Sequence, residues 1–388
     1  MNNDVYKKSL ELHKENSGKI ETTSKIKLDS REILSLAYSP GVAEVSREIA
    51  RDPSLAREYT LKRNTVAVVT DGSSILGLGN LGALASIPVM EGKAAIFKEF
   101  GGVDAFPICL DTQDTEEIIK AVKQIAPVFG GINLEDISAP RCFEIEERLR
   151  KELSIPVMHD DQWGAATVTL AGIINSLKLL NPNESSSIKK EDIKVVISGI
   201  GAAGVATARL LSIYGIKKII YIDSKGIVHK DRLDLTPEKK ELLEASELAP
   251  KEGTLADAIV GANIFIGLSK PGVLTSEMVR TMAEKPVIFA LANPTPEIMP
   301  GEAISAGAYV VATGRSDFPN QVNNSLVFPG AFKGMLEANI SQFKIEMFSK
   351  IAEALAESVD NLSPNKILPT MFDKGIVEIV SKTIQNYK

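Results

Sequence analysis

The sequence has few of the residues that mark disulfide-bonded, nucleic-acid-binding or membrane-spanning proteins. Its two cysteines, Cys109 and Cys142, are too few for a disulfide framework, so free thiols in a reducing cytoplasm are expected. The net charge is −6 and no basic run stands out, which argues against nucleic acid or an acidic membrane surface as a partner. The start of the chain lacks the apolar core of a signal peptide, and no uninterrupted apolar run reaches the length of a membrane span. We therefore predict a cytoplasmic protein that binds neither nucleic acid nor a membrane.

What is present is the composition of an ordinary globular protein. The chain has 388 residues, 44% of them apolar and 24% charged, which is typical of two domains. We predict an α/β fold with a smaller N-terminal domain that has a parallel sheet (1–162) and a C-terminal Rossmann-type, doubly wound domain (163–388). The amphipathic final helices can pack back on the first domain. The predicted strands are residues 65–70, 105–111, 130–133, 155–158, 194–198, 218–223, 264–269, 287–293 and 308–314.

Two acidic pairs follow neighbouring predicted strands of the first domain. Glu135 and Asp136 come after one strand, and Asp160 and Asp161 come after the next, with a predicted helix between them. Strand, helix, strand is a crossover unit with parallel strands, so both pairs are expected at the same edge of one sheet. Three carboxylates that meet there would suit a hard divalent cation such as Mg²⁺ or Mn²⁺. The alternative is that these acids cap helices and solvate loops.

A glycine-rich motif in the second domain predicts a dinucleotide site. Gly199-Ile200-Gly201-Ala202-Ala203-Gly204 follows a buried strand directly and opens a helix, and Asp223 ends the next strand, 24 residues after Gly199. The glycines allow close approach of a pyrophosphate, the helix N-terminus supplies N–H groups, and the acid receives ribose hydroxyls. Asp223 favours NAD, while Ser224 and Lys225 leave NADP possible. A second match, at residues 77–82, has no strand directly before it, and we interpret it as a tight loop on the floor of a substrate cleft.

Five further side chains could take part in chemistry. Lys93 lies among apolar and small neighbours, where a lowered pKa would make it a general base; the alternative is a surface lysine. Tyr38 precedes a turn at Ser39-Pro40-Gly41 that would hold its phenol, although an ordinary half-buried tyrosine is the alternative. Asn323 and Asn324 lie in a carboxamide-rich segment, and these two and Asn293 would suit a small dicarboxylate; the alternative is that each caps a loop.

Taken together, these segments resemble the malic enzyme family in its short bacterial form. That resemblance implies oxidative decarboxylation of L-malate to pyruvate and CO₂, with NAD or NADP and Mg²⁺ or Mn²⁺, by a homodimer. The matching stretches are AYSPGVAE (37–44), TDGSSILGLGNLG (70–82), MEGKAAIFKEFGGVDAFPICLDT (90–112), GGINLEDISAPRCFEIE (130–146), IPVMHDDQ (155–162), ALANPTPEI (290–298) and TGRSDFPNQVNN (313–324).

The resemblance also implies a role for each candidate residue. Tyr38 would be the general acid and Lys93 the general base, with Asp160 orienting Lys93. Asn293 and Asn324 would bind malate and the nicotinamide end of the cofactor. The implied metal ligands are Glu135, Asp136 and Asp161.

One stretch departs from the family pattern. Short bacterial members usually have His-Gly-Thr-Ala where this chain has Trp163-Gly164-Ala165-Ala166. The change concerns packing at the domain junction and substrate affinity rather than the reaction class. Three alternatives remain at this point: a malolactic enzyme that retains its NAD, an amino-acid-type dehydrogenase that needs no carboxylate cluster, and a nucleotide sensor on a degenerate enzyme scaffold.

Overall fold

The computed structural model describes residues 3–181 and 189–387 and contains two parallel sheets, as the predicted α/β class requires. The first sheet has four strands in the order β2-β1-β3-β4. The second has six strands in the order β10-β9-β8-β5-β6-β7, of which only β7 is antiparallel. The strands of the first sheet are β1 (Thr65–Thr70), β2 (Asp104–Cys109), β3 (Gly131–Leu134) and β4 (Val157–His159). The strands of the second are β5 (Lys194–Ser198), β6 (Lys218–Asp223), β7 (Gly226–Ile227), β8 (Ile264–Gly267), β9 (Val287–Ala290) and β10 (Val310–Thr313).

Helices precede and cover both sheets. Those up to the end of the first sheet are α1 (Asn3–Asn16), α2 (Arg31–Ala37), α3 (Val42–Arg51), α4 (Ala56–Tyr59), α5 (Gly82–Gly101), α6 (Thr115–Ile125) and α7 (Arg141–Glu152). Those that follow are α8 (Asp160–Leu180), α9 (Ala202–Tyr214), α10 (Pro237–Ala245), α11 (Leu255–Ile259), α12 (Ser276–Arg280), α13 (Pro300–Ser305), α14 (Phe328–Ala338), α15 (Ile345–Glu357) and α16 (Ile376–Gln385).

All nine predicted strands are present, since a strand buried on both faces is marked by a continuous apolar run. β1, β5 and β6 have the predicted bounds, whereas the segments predicted at 287–293 and 308–314 form strands only at 287–290 and 310–313. The two-residue strand β7 was not predicted, because a strand this short leaves no periodic pattern. β3, α7 and β4 form the expected crossover, and Leu134 pairs with His159 at the last register position, so both acidic pairs follow at the same edge.

Helix α8 begins earlier than its apolar pattern predicts. It starts at Asp160, directly after β4, so Asp160 and Asp161 lie in the first helical turn rather than in a loop. It is the one described helix long and apolar enough to cross a membrane, but most of its side chains are buried, and it packs against α9 and α15 as a core helix does. The helix continues through the boundary proposed at 162/163, and that division remains a prediction.

The C-terminal helices contact the first domain through aromatic side chains. The ring of Phe97 on α5 lies 4.7 Å from that of Phe328 and 5.6 Å from that of Phe332, both on α14. All three rings are buried. α16 also packs against α14. These contacts hold α14 beside the helix that carries Lys93.

The helices before β1 are exposed, in contrast to the rest of the fold. Of their described side chains, none in α2, α3 or α4 is buried. α2 is capped in the usual way, since the Ser30 side chain accepts a hydrogen bond from the N–H of Ile33. Exposed apolar residues here include Leu10, Leu34 and Leu36. This segment therefore forms little core of its own within one chain.

Candidate active site

The centre of the site is a buried lysine between two carboxylates. Lys93 lies on α5, and its Nζ is 2.5 Å from an oxygen of Asp160 and 2.5 Å from an oxygen of Glu135. The side chains of all three are no more than 7% exposed. The ammonium also lies 4.4 Å from the centre of the Phe328 ring, a cation–π contact with the C-terminal helices. The surface-lysine interpretation is therefore wrong for Lys93.

The sequence predicts a lowered pKa for Lys93, and this prediction is also wrong. Burial alone would lower the pKa of Lys93, but Asp160, Glu135 and Asp161 together raise it above its ordinary value. The apolar neighbours of Lys93 in the sequence correctly predicted that its side chain is buried. The carboxylates that outweigh it come from β3 and α8, and no local pattern shows them.

Three carboxylates meet beside this lysine. Ligand oxygens of Glu135, Asp136 and Asp161 all lie within 4.8 Å of one another. Asp136 has a left-handed backbone, with φ of 52°, and its N–H donates to Asp161 at 2.7 Å. One oxygen of Asp136 is buried without a hydrogen-bond partner among the described residues. An oxygen-only, strained and incompletely satisfied cluster fits a hard divalent cation.

A neighbouring histidine does not join this cluster. His159 is fully buried, and its Nε2 lies 3.8 Å from an oxygen of Asp161. Burial lowers the pKa of His159 to about 3, so the ring is neutral at physiological pH. Among the described residues, the cluster that could hold a metal therefore consists of the three carboxylates alone.

The carboxylate cluster predicts an unusual dependence of stability on pH. Burial, with the charges of Asp161 and Glu135 added, raises the pKa of Asp136 to about 8, and burial raises that of Glu135 to about 7. Between pH 4 and 8 the metal-free folded protein thus holds protons that the unfolded chain has lost. Its melting temperature in EDTA should therefore fall as pH rises through this range, and Mn²⁺ should raise it most near pH 8.

A calorimetric pH series on the wild type and Asp136→Asn measures this effect. The amide does not titrate, so the variant should show a shallower decline with pH and a smaller response to Mn²⁺. The same slope in both proteins would contradict the assignment of the effect to Asp136.

The first glycine motif forms a tight loop, as predicted, while its place on the floor of a substrate cleft stays a prediction. A Cβ at Gly77 would lie 1.8 Å from the carbonyl oxygen of Asn293, so this loop touches the end of β9 directly. Gly79 and Gly82 have φ of 85° and 80°, a conformation that favours glycine. Ser74 N–H donates to the Asp136 carbonyl at 3.0 Å, which holds the loop against the carboxylate cluster.

The second glycine motif has the geometry of a dinucleotide site. A Cβ at Gly199 would lie 2.3 Å from the Leu268 carbonyl, and one at Gly204 would lie 2.0 Å from the Gly199 carbonyl. A Cβ at Gly201 would meet nothing within 4 Å, so the backbone is open there. Helix α9 begins at Ala202, and the N-terminal N–H groups of Ala202 and its neighbour Ala203 lie beside this space. In a dinucleotide motif the first glycine allows a tight turn, the second lets the backbone approach the pyrophosphate, and the third allows close packing of helix on strand.

Asp223 is already paired with cations that sequence reasoning missed. It accepts two hydrogen bonds from Arg232 at 2.8 Å and one from Lys239 at 2.6 Å, and the Lys225 N–H donates to it at 2.9 Å. Burial would raise its pKa, but these donors lower the pKa of Asp223 to about 2. The cations stand 9 and 16 residues further along the chain, outside the spacing of the dinucleotide motif.

Of the two carboxamides, Asn324 lies near the same centre and Asn293 lies beside the glycine loop. A Cβ on Gly164 would be 2.0 Å from an Asp160 oxygen and 3.0 Å from the Cβ of Asn324, so Gly164 lets these two residues approach. The side chain of Asn293 lies against Gly314, at the end of β10. By contrast, Asn323 caps a short turn, as its side chain accepts from the Ser325 N–H at 2.9 Å.

Tyr38 is not brought to this centre within one chain. It ends α2 and is 69% exposed, and none of the contacts found for Lys93 among the described residues involves it. A general acid acts in a site from which water is excluded. Tyr38 must therefore be covered before it can serve as one.

Comparison with known proteins agrees with this geometry. The model of the malic enzyme N-terminal domain matches residues 17–117 and 112–150, and that of the malic enzyme NAD binding domain matches residues 163–385. The bifunctional malic/malolactic enzyme of Bacillus subtilis strain 168 is 52% identical over 379 residues, which are 97% of this chain and 91% of that protein.

Two further comparisons extend along almost the whole chain. The NAD-dependent malic enzyme of Geobacillus stearothermophilus is 53% identical over 369 residues, which cover 95% of this chain and 76% of that protein. The crystal structure of the NAD-dependent malic enzyme from Thermotoga maritima superposes with a TM-score of 0.93 at 46% identity, covering 97% of this chain and 99% of that one. With both domain models matched and these identities sustained through both sheets, the chain belongs to the malic enzyme family.

Proposed function

We propose that this protein oxidatively decarboxylates L-malate to pyruvate and CO₂ and reduces NAD, with Mg²⁺ or Mn²⁺ as the metal. The observation that carries the proposal is the position of Lys93 between Asp160 and Glu135, next to a three-carboxylate cluster. A proton acceptor and a cation site side by side suit oxidation of a hydroxyl group next to a carboxylate. The family and the relatives named NAD-dependent malic enzymes support the same reaction.

The proposed reaction assigns separate roles to the metal ligands, the dinucleotide turn and Lys93. Glu135, Asp136 and Asp161 hold the cation, and the turn at 199–204 holds the dinucleotide. When bound, the cation supplies positive charge for the substrate's C1 carboxylate and C2 oxygen, and the nicotinamide supplies the hydride acceptor. Lys93 takes the proton from the C2 hydroxyl. The pKa of Lys93 must first fall, and neutralising the adjacent carboxylates acts in that direction.

The remaining residues hold the substrate and complete the reaction. Asp160 keeps Lys93 in place, and Asn293 and Asn324 bind malate and the nicotinamide end of the cofactor. Loss of the C4 carboxylate as CO₂ leaves enolpyruvate, which must be protonated at C3. Tyr38 donates that proton once it is covered. Closure of the cleft between the two sheets would keep water from the intermediate.

The Tyr38 assignment predicts a separation of two activities. Tyr38→Phe should lower oxidative decarboxylation of malate by about 10²–10⁴-fold. Reduction of oxaloacetate by NADH needs Lys93 but no protonation at C3, so it should be spared. Both reactions can be measured on one preparation, and a misfolded variant would lose them together. Equal losses in a folded variant would mean that Tyr38 positions substrate instead.

The direct test of the function is a malate assay with NAD and NADP in parallel, with and without Mn²⁺. Pyruvate and free NADH are expected, and only with the metal. A malolactic activity is the second candidate, because the Bacillus subtilis relative is named a bifunctional malic/malolactic enzyme. Lactate without net NADH would establish that reaction, and no turnover of malate with either cofactor would refute both.

The cofactor preference depends on the surroundings of Asp223. We propose NAD, as Asp223 is an acid at the ribose position and two of the three relatives compared above are named NAD-dependent. Arg232 and Lys239 at the same position would favour a 2′-phosphate only if released from Asp223, and the Lys225 ammonium only if released from Asp234. The ratio of kcat/KM for the two cofactors measures which interaction prevails.

We also propose that the protein is a cytoplasmic homodimer. The free thiols of Cys109 and Cys142 suit a reducing compartment. A second copy would cover the exposed N-terminal helices, whose apolar residues form no core within one chain. More than one-third exposed there are Val5, Leu10, Leu12, Ile33, Leu34, Leu36, Val42 and Val45.

The dimer predicts a sedimentation result. Equilibrium sedimentation should give twice the chain mass of 41.8 kDa at micromolar concentration. Leu34→Glu should shift the equilibrium toward monomer, because it places a charge in the covered surface. Leu233→Glu is the control, since Leu233 is fully exposed in the second domain. A wild type that sediments only as a monomer would contradict the proposal.

A further inference from the structure

Glu146 is a buried carboxylate for which no role follows from the chemistry above. It lies on α7, is 4% exposed, and takes part in none of the ion pairs among the described residues. Burial raises its pKa. An isolated buried carboxylate is costly, so its retention requires several good hydrogen bonds.

Among the described residues, all the side-chain hydrogen bonds of Glu146 come from one five-residue segment. One oxygen accepts from the backbone N–H of His159 at 3.0 Å, and the other accepts from Gln162 Nε2 at 2.9 Å. Trp163 Nε1 donates to both oxygens, at 2.9 and 3.1 Å. The segment is the junction of β4 and α8, and Asp160 and Asp161 lie between its donors His159 and Gln162. Glu146 thus holds both sides of the pair that contacts Lys93 and completes the carboxylate cluster.

We propose that Glu146 is a positioning residue, which sets the first turn of α8 so that Asp160 meets Lys93 and Asp161 meets Asp136. Its charge lies near the positive N-terminal end of a 21-residue helix, and hydrogen bonds to a carboxylate are stronger than neutral ones. The inference rests on the proposed metal site. It goes beyond that site because Glu146 contacts neither substrate nor cation.

Trp163 connects Glu146 and the start of α8 to the C-terminal helices. Its indole stacks on Phe348 of α15, with ring centres 5.1 Å apart and planes 9° apart. Phe348 in turn stacks on Phe343 at 5.4 Å. The ring is therefore fixed in the orientation that points its N–H at Glu146. Trp163, which departs from the family pattern, is therefore one of the donors that hold the Glu146 carboxylate.

A shift of this turn would disturb two functions together. Asp160 has one oxygen on Lys93 and another buried without a partner, and Asp161 accepts the N–H of Asp136. Both side chains start from the same helical turn. Loosening the turn should weaken cation binding and also lower the rate at saturating substrate, whereas a purely structural role would lower only the melting temperature.

The test compares Glu146→Gln with Asn175→Ala. The amide keeps the volume of Glu146 but removes the charge and turns one acceptor into a donor facing the donors of Gln162 and Trp163. Asn175 lies on the same helix, 15 residues beyond Asp160, and donates to the carbonyls of Ala356 and Ile367. Its replacement also costs buried hydrogen bonds, but far from the first turn.

The measurement is Mn²⁺ binding without malate or cofactor, by electron paramagnetic resonance of free Mn²⁺. An independent titration follows the fluorescence of Trp163, the only tryptophan. Glu146→Gln should weaken Mn²⁺ binding by about tenfold or more and lower kcat by a similar factor at saturating Mn²⁺ and malate. Asn175→Ala should lower the melting temperature and leave Mn²⁺ affinity unchanged.

Each outcome separates the inference from the proposed function. Unchanged Mn²⁺ affinity and kcat in folded Glu146→Gln, with tight binding by the wild type, would overturn the inference alone. A wild type that binds no Mn²⁺, or that binds it as well after Asp136→Ala, would overturn the metal site and the inference with it. If Glu146→Gln does not fold, Trp163→Phe is the deciding variant. It keeps the aromatic stack on Phe348 and removes the indole N–H that donates to Glu146. It should weaken Mn²⁺ binding by a smaller factor, and no change would refute the inference.

Discussion

Lys93→Ala should abolish malate oxidation, with a loss of at least about 10²–10⁴-fold in kcat. No other described side chain offers a nitrogen to both Asp160 and Glu135, so no second base stands ready at this position. The substitution also leaves the two buried carboxylates without their cation. They should take up protons rather than remain charged, since the burial that raises their pKa is then unopposed.

The control for Lys93→Ala is another partly buried lysine of the same domain. Lys62 donates from its Nζ to the carbonyls of Pro127 and Phe129, so Lys62→Ala removes a cation and its hydrogen bonds away from the site. It should lower stability without lowering kcat. Circular dichroism and NAD binding would show that Lys93→Ala is folded. A folded Lys93→Ala protein with more than one-tenth of wild-type kcat would refute the role of Lys93 as base.

Removal of the metal should have the second largest effect. Exhaustive chelation should stop malate turnover, and added Mn²⁺ should restore it fully. Asp136→Ala should weaken Mn²⁺ binding by at least about 10²-fold, since it removes one of the three oxygen ligands of the cluster. Without a cation, one Asp136 oxygen is buried and has no hydrogen-bond partner among the described residues, so a bound cation would stabilise this residue.

Asp192→Ala is a suitable control for Asp136→Ala. Asp192 is a surface acid paired with Lys218 at 2.9 Å, and a pair this exposed contributes little to stability. Its loss should change neither Mn²⁺ affinity nor turnover. Mn²⁺ titrations and initial rates over a range of Mn²⁺ concentrations measure both effects. Full activity after chelation, or unchanged Mn²⁺ affinity in Asp136→Ala, would contradict the assignment of the cluster.

Local pattern was sufficient for much of the fold. β1, β5 and β6 are continuous apolar runs, and α6 begins after Asp114, a residue type favoured at N-caps, whose side chain accepts from the Glu117 N–H. The pattern failed where an element begins with polar residues. Asp160 and Asp161 belong to α8 because they continue β4 without a loop, and the hydrogen bonds that hold this start come from another helix.

The sequence by itself determined the elements, the two glycine turns and the edge at which the acidic pairs meet, because each depends on residues close together in the chain or on a crossover that links neighbouring strands. Only the tertiary structure decided the electrostatics. The pKa of Lys93 is raised by carboxylates from β3 and α8, and Asp223 is neutralised by Arg232 and Lys239. The balance between burial and nearby charge depends on distances of a few ångströms between distant segments, and no spacing along the chain encodes those distances.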